Sequence, residues 1–502
     1  MKKVTAALAS TVLLTSVLSG CGGESTGEGA QGAPQDDGTP YPLTLIVNQV
    51  GEIPQKDNDV EKAIKAYTNT DLQIQWIPQS AYDEKINVMI ASGELPKLIK
   101  LNYNPTIVGA LKSDLFWEIG PYLKDYKNLA AQNEQYYNNI AVGGKIYGVP
   151  LFRDLGRAAI QYRKDWFDAL GLQVPKTLDD WYNVVKALTL NDPDKNGKND
   201  TYGLMLEKKY NQDVNSTLAR LAVSQGAPNK WLVENGSFIP DFTTAPYFET
   251  MKLFKRFYDE KLINQDFAVY ESTEMDKVYE SGRAGIRFTG GNTQSWQDKL
   301  VKVLPSAVAD VAPVEGPGGR RLPGEPGNAG FLAVPKSTVT SEAELKKVLA
   351  FVDKLMDPQM ATLLVKGIEG RHWEDKGDYT QPLDPTAAAK EVKPYRDTLP
   401  HRGEAYNVAK PSKETDLFRK SQTVGKENEK FIVTNPAHTL ESATYSERGK
   451  ELEQMITDAM TKFIMGKIDE AGWKAEIEKW RKAGGDAMAQ EYKEAYAKAP
   501  KK

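Results

Sequence analysis

Tyr41-Pro-Leu-Thr-Leu-Ile-Val-Asn-Gln-Val50 opens the stretch, continuing to Leu101, whose reading decides the fold. The opening run is apolar and carries β-branched residues between turn-forming neighbours, the pattern of a buried strand. Asp59 to Tyr67 then shows helical spacing, Leu72 to Ile77 alternates as a second strand, and Tyr82 to Ile90 reads as a helix ended by Ser92-Gly93. Leu95 to Leu101 completes a third strand. Strand–helix–strand alternation predicts a parallel sheet with crossover helices, an α/β architecture. Ligands on such sheets sit beyond the carboxyl ends of the strands, here near Gln49, Asn102 and Tyr103.

Upstream, Lys2 and Lys3 head an apolar run from Val4 to Leu18. A membrane-spanning helix needs ~20 apolar residues, and this run is shorter and broken by Ser and Thr, so residues 1–20 read as a signal peptide. The run ends in Leu18-Ser19-Gly20-Cys21, which resembles the lipobox of bacterial lipoproteins. Cys21 is the single cysteine, placed where its thiol would carry diacylglycerol and, after cleavage, become the first residue. An ordinary signal peptide with an incidental cysteine is the competing reading. One acyl chain anchors marginally, whereas two or three on one residue hold firmly. The expectation is a palmitate-bearing protein on the extracellular face of the cell membrane. A lone cysteine excludes disulfides within one chain, which leaves packing, and a metal, to stabilise it. Residues 21–40 are rich in Gly, Glu, Gln, Asp and Pro and cannot bury enough surface to offset their ordering entropy, so they read as a flexible tether.

The remainder is too long for one small domain and suits two lobes with large cores. The formal charge is −4, with two positive charges fewer once Lys2 and Lys3 leave with the signal. A mildly acidic chain without a dense basic block is no candidate for nucleic acid. Nine tryptophans against three histidines favour a binder over an acid–base or zinc catalyst. Past Tyr147-Gly148-Val149-Pro150 a second unit opens, with helices over Lys164–Leu170, Leu178–Leu190 (Thr177 as N-cap) and Phe248–Tyr258. Gly285 to Thr289 and Phe331 to Val334 read as short strands. Pro305 to Asn328, dominated by Gly and Pro, reads as a long surface loop or hairpin tip. Ser446 to Lys498 is helical in pattern, interrupted at Gly466 and Gly484-Gly485.

Several phrases in order resemble the extracellular solute-binding protein family 1, in its large lipoprotein branch that includes alginate-oligosaccharide binders. They are Ala91-Ser92-Gly93-Glu94-Leu95-Pro96, Tyr147-Gly148-Val149-Pro150, Tyr162-Arg163-Lys164-Asp165-Trp166 with Leu170-Gly171-Leu172, Asp192 to Gly203, Ile368-Glu369-Gly370, and Gly466 to Ala495. The resemblance implies a two-lobed periplasmic-binding-protein-like (type II) fold with discontinuous lobes, a hinge and an interlobe cleft. It also implies a monomer that captures an oligosaccharide and hands it to the membrane permease subunits of an ABC importer after hinge closure. The expected first lobe is 41–152 plus about 284–335, and the second 153–283 plus about 336–502. Crossings are expected near Pro150–Asp154, near Ser281–Gly285 and after Pro335.

Asp192-Pro193-Asp194-Lys195-Asn196-Gly197-Lys198-Asn199-Asp200 carries the sharpest local signal. Asp192, Asp194, Asn196 and Asp200 stand at positions 1, 3, 5 and 9 with Gly at 6, the first part of an EF-hand loop, and Lys198 at position 7 offers its carbonyl. Position 12 departs from the pattern, with Gly203 in place of a bidentate Glu. The resemblance implies a shortened loop closed by an oxygen beside Asp200, where this chain has Thr201. Structural Ca2+ is the expected occupant, and a solvated Asx-rich turn the alternative.

For the ligand, aromatic faces match the apolar C–H surface of a sugar ring while charged and amide groups satisfy its hydroxyls. Trp296, after the strand ending at Thr289, and the polar segment Glu369-Gly370-Arg371-His372-Trp373 are candidates for the cleft. Glu369, Arg371 and Trp373 are the contacts expected from that segment. Arg153 and Asp154 are candidates beside the first crossing, with a hinge salt bridge as the equal alternative. Trp166, Trp181, Trp473 and Trp480 sit in helical patterns and read as core. No histidine pair has metal-ligand spacing, and neither a Gly-x-Ser-x-Gly elbow nor a Walker-type loop is present. No catalytic residue is assigned. A secreted glycoside hydrolase needs only two carboxylates and stays open as an alternative. A surface adhesion lipoprotein, which would be expected to show repeats, is the other.

Overall fold

The computed structural model describes residues 38–290, 292–402 and 412–498. The expected signal peptide, Cys21 and most of the tether lie outside the described residues. Among the described residues no helix is long and apolar enough to cross a membrane.

Two main sheets are built, in chain order, from β1 (Tyr41–Asn48), β2 (Thr70–Ile77), β3 (Leu98–Leu101), β4 (Gly148–Phe152), β5 (Ala159–Arg163), β6 (Ile286–Thr289), β7 (Ala309–Pro313) and β8 (Asn328–Ala333). The first sheet has the order β2-β1-β3-β8-β4, with β1 parallel to both β2 and β3 and β8 antiparallel to both β3 and β4. Both faces of β1 are covered: Leu43, Leu45 and Val47 enter one core and Ile46 the other. A strand buried on both faces reads as a continuous apolar run, which is how residues 41–50 read. Each such side chain contributes about 1.5–3 kcal/mol on leaving water. The helix Asp59–Thr68 begins where the Asn58 side chain accepts the N–H groups of Val60 and Glu61, and it ends on Asn69 in the left-handed region at φ 53°. This start and stop deliver the chain back to β2 beside β1.

The second sheet, β6-β5-β7, is antiparallel, and helices cover it. Its core joins Ile160, Trp166, Trp181 and Ile286 to Met460, Trp473 and Trp480 from the C-terminal helices. Thr177 and Asp180 form a reciprocal capping box at the start of helix Leu178–Leu190. The four tryptophans expected in the core, Trp166, Trp181, Trp473 and Trp480, are all buried there.

Core membership fixes the lobes. Residues up to Leu155 and again from Phe331 to Leu399 build the first, while Ala158 to Leu322 and Ala437 onward build the second. Among the described residues the chain therefore crosses three times: between Leu155 and Ala158, between Leu322 and Phe331, and between Leu399 and Ala437. The first crossing falls just past its expected position. The other two correct the sequence reading. Segment 284–322 packs with the second lobe because β6 and β7 flank β5, and helix Glu342–Leu355 packs beneath β1 in the first lobe. Residues 305–328 are not a free loop, since they contain β7 and the buried Leu322, and the alternative, a hairpin, forms over residues 315–320.

Candidate ligand-binding cleft

The three crossings are stitched together by side chains that bond one another and the crossing backbones. Arg157, on the first crossing, places its guanidinium on the buried Glu325 of the second, with Nε 2.9 Å from Oε2. The Asn215 amide donates to the same Oε2 at 3.1 Å, and Arg220 donates to Asn215 Oδ1 at 3.0 Å and to the Arg157 carbonyl at 3.1 Å. Asn428, on the third crossing, spans the Gly156 and Ala158 carbonyls at 3.1 and 2.8 Å. Asn229 bridges the Gly324 and Val433 carbonyls, both at 2.8 Å. Each amide offers two donors in a fixed plane, so one asparagine satisfies two buried carbonyls and fixes the crossing segments against each other.

Against this hinge opens a cavity of about 260 Å³ walled by both lobes. Gln135 and Asn139 come from the first lobe, Asp213, Lys230 and Glu453 from the second, and Glu325 and His438 from or near the crossings. The Asn139 amide is anchored to the Glu325 and Pro326 carbonyls at 3.2 and 3.0 Å. His438 stacks on Tyr103 of the first lobe with ring centroids 6.1 Å apart, and burial lowers its pKa. Tyr103 is thus brought to the interlobe boundary, as expected for a residue following the carboxyl end of β3. A wall of amides and paired charges suits a solute rich in hydroxyls, because each group is a donor or acceptor of defined direction.

Arg153 and Asp154 lie at the hinge, yet not as a pair. Arg153 donates to the Phe152 and Asp397 carbonyls, whereas Asp154 feels the charges of Arg402 and Arg157. Burial holds the Asp154 carboxyl above the usual carboxylate range and lowers the Arg153 pKa. Trp296 is a correction. It sits on helix Thr293–Val303, only 2 % exposed, with its indole N–H on the Tyr279 carbonyl at 3.1 Å and its ring against Tyr279. The chain turns into a helix directly after β6, which swings Trp296 under the sheet instead of over the cleft.

Glu369, Arg371 and Trp373 occur together at a hairpin of the first lobe, where Trp373 pairs with Pro382. None of the three lines the interlobe cavity. Arg371 is engaged by Glu391, and Trp373 donates to the Gly367 carbonyl at 2.9 Å.

The Asp192 loop is closed by hydrogen bonds among its own residues. Asp192 accepts the N–H groups of Asn196 and Gly197 at 3.1 and 3.0 Å, with Gly197 at φ 75°. The Asn196 amide donates to Asp194 at 2.8 Å and to Asp200 at 3.1 Å. Burial, then its hydrogen bond with Asp192, holds the Asp194 carboxyl above its ordinary range. The donor set suits a hard cation in kind, and the amide hydrogens now supply the attraction that a cation would. Among the described residues, however, no three acidic, His or Cys side chains form a group that could hold a metal ion. Thr201 does not turn its hydroxyl proton toward the loop: it donates to the Leu188 carbonyl at 3.0 Å. Nor could a side chain stand at Gly203, where a Cβ would meet the Val185 carbonyl oxygen at 2.4 Å.

Sequence reasoning missed Glu325, Asn215, Asp213, Lys230, Gln135 and Asn139. They come from separate loops and short helices, and no spacing links them; only Glu325, in a Gly/Pro-rich segment beside a crossing, had a local cue.

Two lobes, three stitched crossings and a polar cavity between them define a clamp for a small hydrophilic solute. The comparisons agree: over residues 53–362 the chain matches the bacterial extracellular solute-binding protein family, and it belongs to that family. Lipoprotein LipO of Bacillus subtilis (strain 168) is 36% identical over 497 residues, 96% of this chain and 97% of that one. The polygalacturonan/rhamnogalacturonan-binding protein YtcQ of the same organism is 36% identical over 500 residues, 97% of each chain. An extracellular solute-binding protein from Bifidobacterium longum subsp. infantis shares the fold, with a TM-score of 0.72 at 17% identity over 92% of this chain and 99% of that one.

Proposed function

We propose that the chain captures an oligosaccharide in the interlobe cavity and delivers it, lobes closed, to the membrane permease subunits of an ABC importer. In this reading it is a monomeric binder with no catalytic residue, held at the extracellular face of the membrane by lipid on Cys21. The observation that carries it is the cavity wall itself: hydrogen-bonding side chains from both lobes meet beside the crossings, where closure would enclose a hydroxylated ligand. The polygalacturonan/rhamnogalacturonan binder among its relatives supports a pectic oligosaccharide as the first ligand to test. Arg153 and Asp154 stay in the reading as charged groups beside the hinge. Glu369, Arg371 and Trp373 become contacts at most for ligand extending beyond the cavity. Ca2+, held by the side chains of Asp192, Asp194, Asn196 and Asp200 and the Lys198 carbonyl, would brace the second lobe, with water completing its shell.

Calorimetry against pectic, alginate and xylan oligosaccharides tests the reading. Saturable binding with recovery of the intact sugar is expected, and Lys230→Ala should weaken it about tenfold, the loss of one charge-assisted bond. Absence of binding across the panel, or cleavage of the sugar, would overturn it.

A further inference from the structure

A second cavity, of about 90 Å³, lies wholly within the second lobe. Trp231, Phe242, Tyr247, Met460 and Trp480 wall it, and Asp241 lies among them. Gln212, Lys230 and Glu453 line this cavity and the interlobe one alike, so the two adjoin. It has space for several waters, and hence for a group about the size of one sugar ring.

Its polar groups keep hydrogen-bonding capacity. The Asp241 carboxylate is 8 % exposed and accepts backbone N–H groups, that of Phe242 at 2.7 Å together with those of Lys230 and of Asp241 itself, while the Lys230 ammonium acts on it through space. A carboxylate has about four acceptor positions, so not all are taken. The buried Tyr247 hydroxyl reaches the Met460 sulfur at 3.7 Å, a weak acceptor. Trp480 is seated by a break in the helix: helix Glu470–Trp480 runs into a kink over Arg481–Gly485, where Gly484 leaves helical geometry at φ 139°. A Cβ on Gly485 would stand 2.3 Å from the Trp480 ring, so only glycine lets the indole lie against that backbone.

We propose that this pocket is a sugar subsite of the second lobe, in which the Asp241 carboxylate accepts hydroxyl protons from one ring of the ligand while Trp231 and Trp480 cover its C–H face. The inference rests on the carbohydrate reading above. A neutral, hydroxylated ring uses both the aromatic wall and the spare carboxylate lone pairs; an organic cation would meet Lys230 at the mouth. Every wall belongs to one lobe, so the subsite exists before closure, and the ligand docks on the second lobe first.

Proton linkage supplies a test that packing alone would not move. Burial pushes the Asp241 carboxyl up to about 6. Hydroxyl groups bonding its ionised form pull that value down, so binding near pH 6 releases protons. Lys230, Tyr247, Tyr445 and Glu453 are the other titratable groups lining the pocket. Calorimetry of the full chain with a rhamnogalacturonan oligosaccharide, which carries neutral rings between its uronates, in buffers of different ionisation enthalpy, reads the release. Wild type should show it, and Asp241→Asn should lose it together with tenfold or more in affinity at an unchanged melting temperature. Sugar binding by wild type without proton release overturns the subsite and leaves the proposed function standing. So does full affinity in Asp241→Asn. No binding to any oligosaccharide removes both. If Asp241→Asn fails to fold, Tyr247→Phe, expected to weaken binding severalfold, replaces it, and wild-type affinity in that variant overturns the subsite as well.

Discussion

The two lobes are built by different means. In the first, a five-stranded sheet is covered on both faces, and most of its core is made by segments that alternate strand with helix along the chain. In the second, a three-stranded sheet is a minor partner to helices, and the core closes only when residues 437–492 return to pack on residues 158–322. The first lobe starts from local alternation over residues 41–101 and is completed by the returning residues 331–399, whereas the second lobe's core depends throughout on contacts across a hundred residues or more. A side chain's surroundings can therefore be inferred from its neighbours in sequence in that opening stretch and not in the second lobe.

Trp296 is where that contrast can be broken most forcefully. Its burial against Tyr279 and its bond to the Tyr279 carbonyl make it part of the second lobe's packing. Trp296→Ala should cost about 3–5 kcal/mol, the range for truncating a buried aromatic. Denaturant unfolding followed by circular dichroism should show an earlier transition, with ligand affinity unchanged in the folded fraction. A variant that melts like wild type and binds sugar poorly would return Trp296 to the cleft.

The same contrast explains what was legible. Strand and helix limits from Tyr41 to Leu101 stand within a few residues of the sequence reading, because periodicity and caps at Asn58 and Ser92-Gly93 are local signals. Helices Lys164–Leu170 and Leu178–Leu190 were equally plain. The lobe boundaries were not, since β6 and β7 reveal their partner only by pairing with β5 across more than a hundred residues. The Asp192 loop was legible through its alternating oxygens. The cleft was not, because Glu325, Asn139 and Lys230 meet only in three dimensions. Trp480 was rightly expected to be buried; that it also walls a cavity depends on the kink after it.

Metal removal sharpens the comparison at a smaller scale. The Asp192 loop follows helix Leu178–Leu190, whose inner face packs in the second lobe. Calcium at an affinity typical of extracellular modules adds roughly 1–2 kcal/mol by linkage. EGTA should therefore lower the melting temperature, and calcium should restore it better than magnesium, which dehydrates reluctantly. Asp194→Ala should erase the response without changing sugar affinity. A melting curve indifferent to chelation in metal-assayed protein would identify the loop as a plain turn braced by the Asn196 amide.

The smallest effect belongs to the first lobe's hairpin. Arg371 is about half exposed and bonds Glu391, which also receives His372 at 3.2 Å. Exposed ion pairs contribute little, because water screens them and ordering two long side chains opposes them. Arg371→Ala should leave the melting temperature almost unmoved and sugar affinity within about twofold. An anionic ligand reaching beyond the cavity to this hairpin would behave otherwise. Its carboxylate would compete with Glu391 for the guanidinium, and losing the arginine would then cost affinity in a manner that fades as salt is raised. Calorimetry with a uronate oligomer and a neutral one of equal length, at low and high ionic strength, separates the two cases. A salt-sensitive loss confined to the uronate would extend the ligand path over the first lobe. Equal, small effects on both would leave recognition to the hinge and the second lobe.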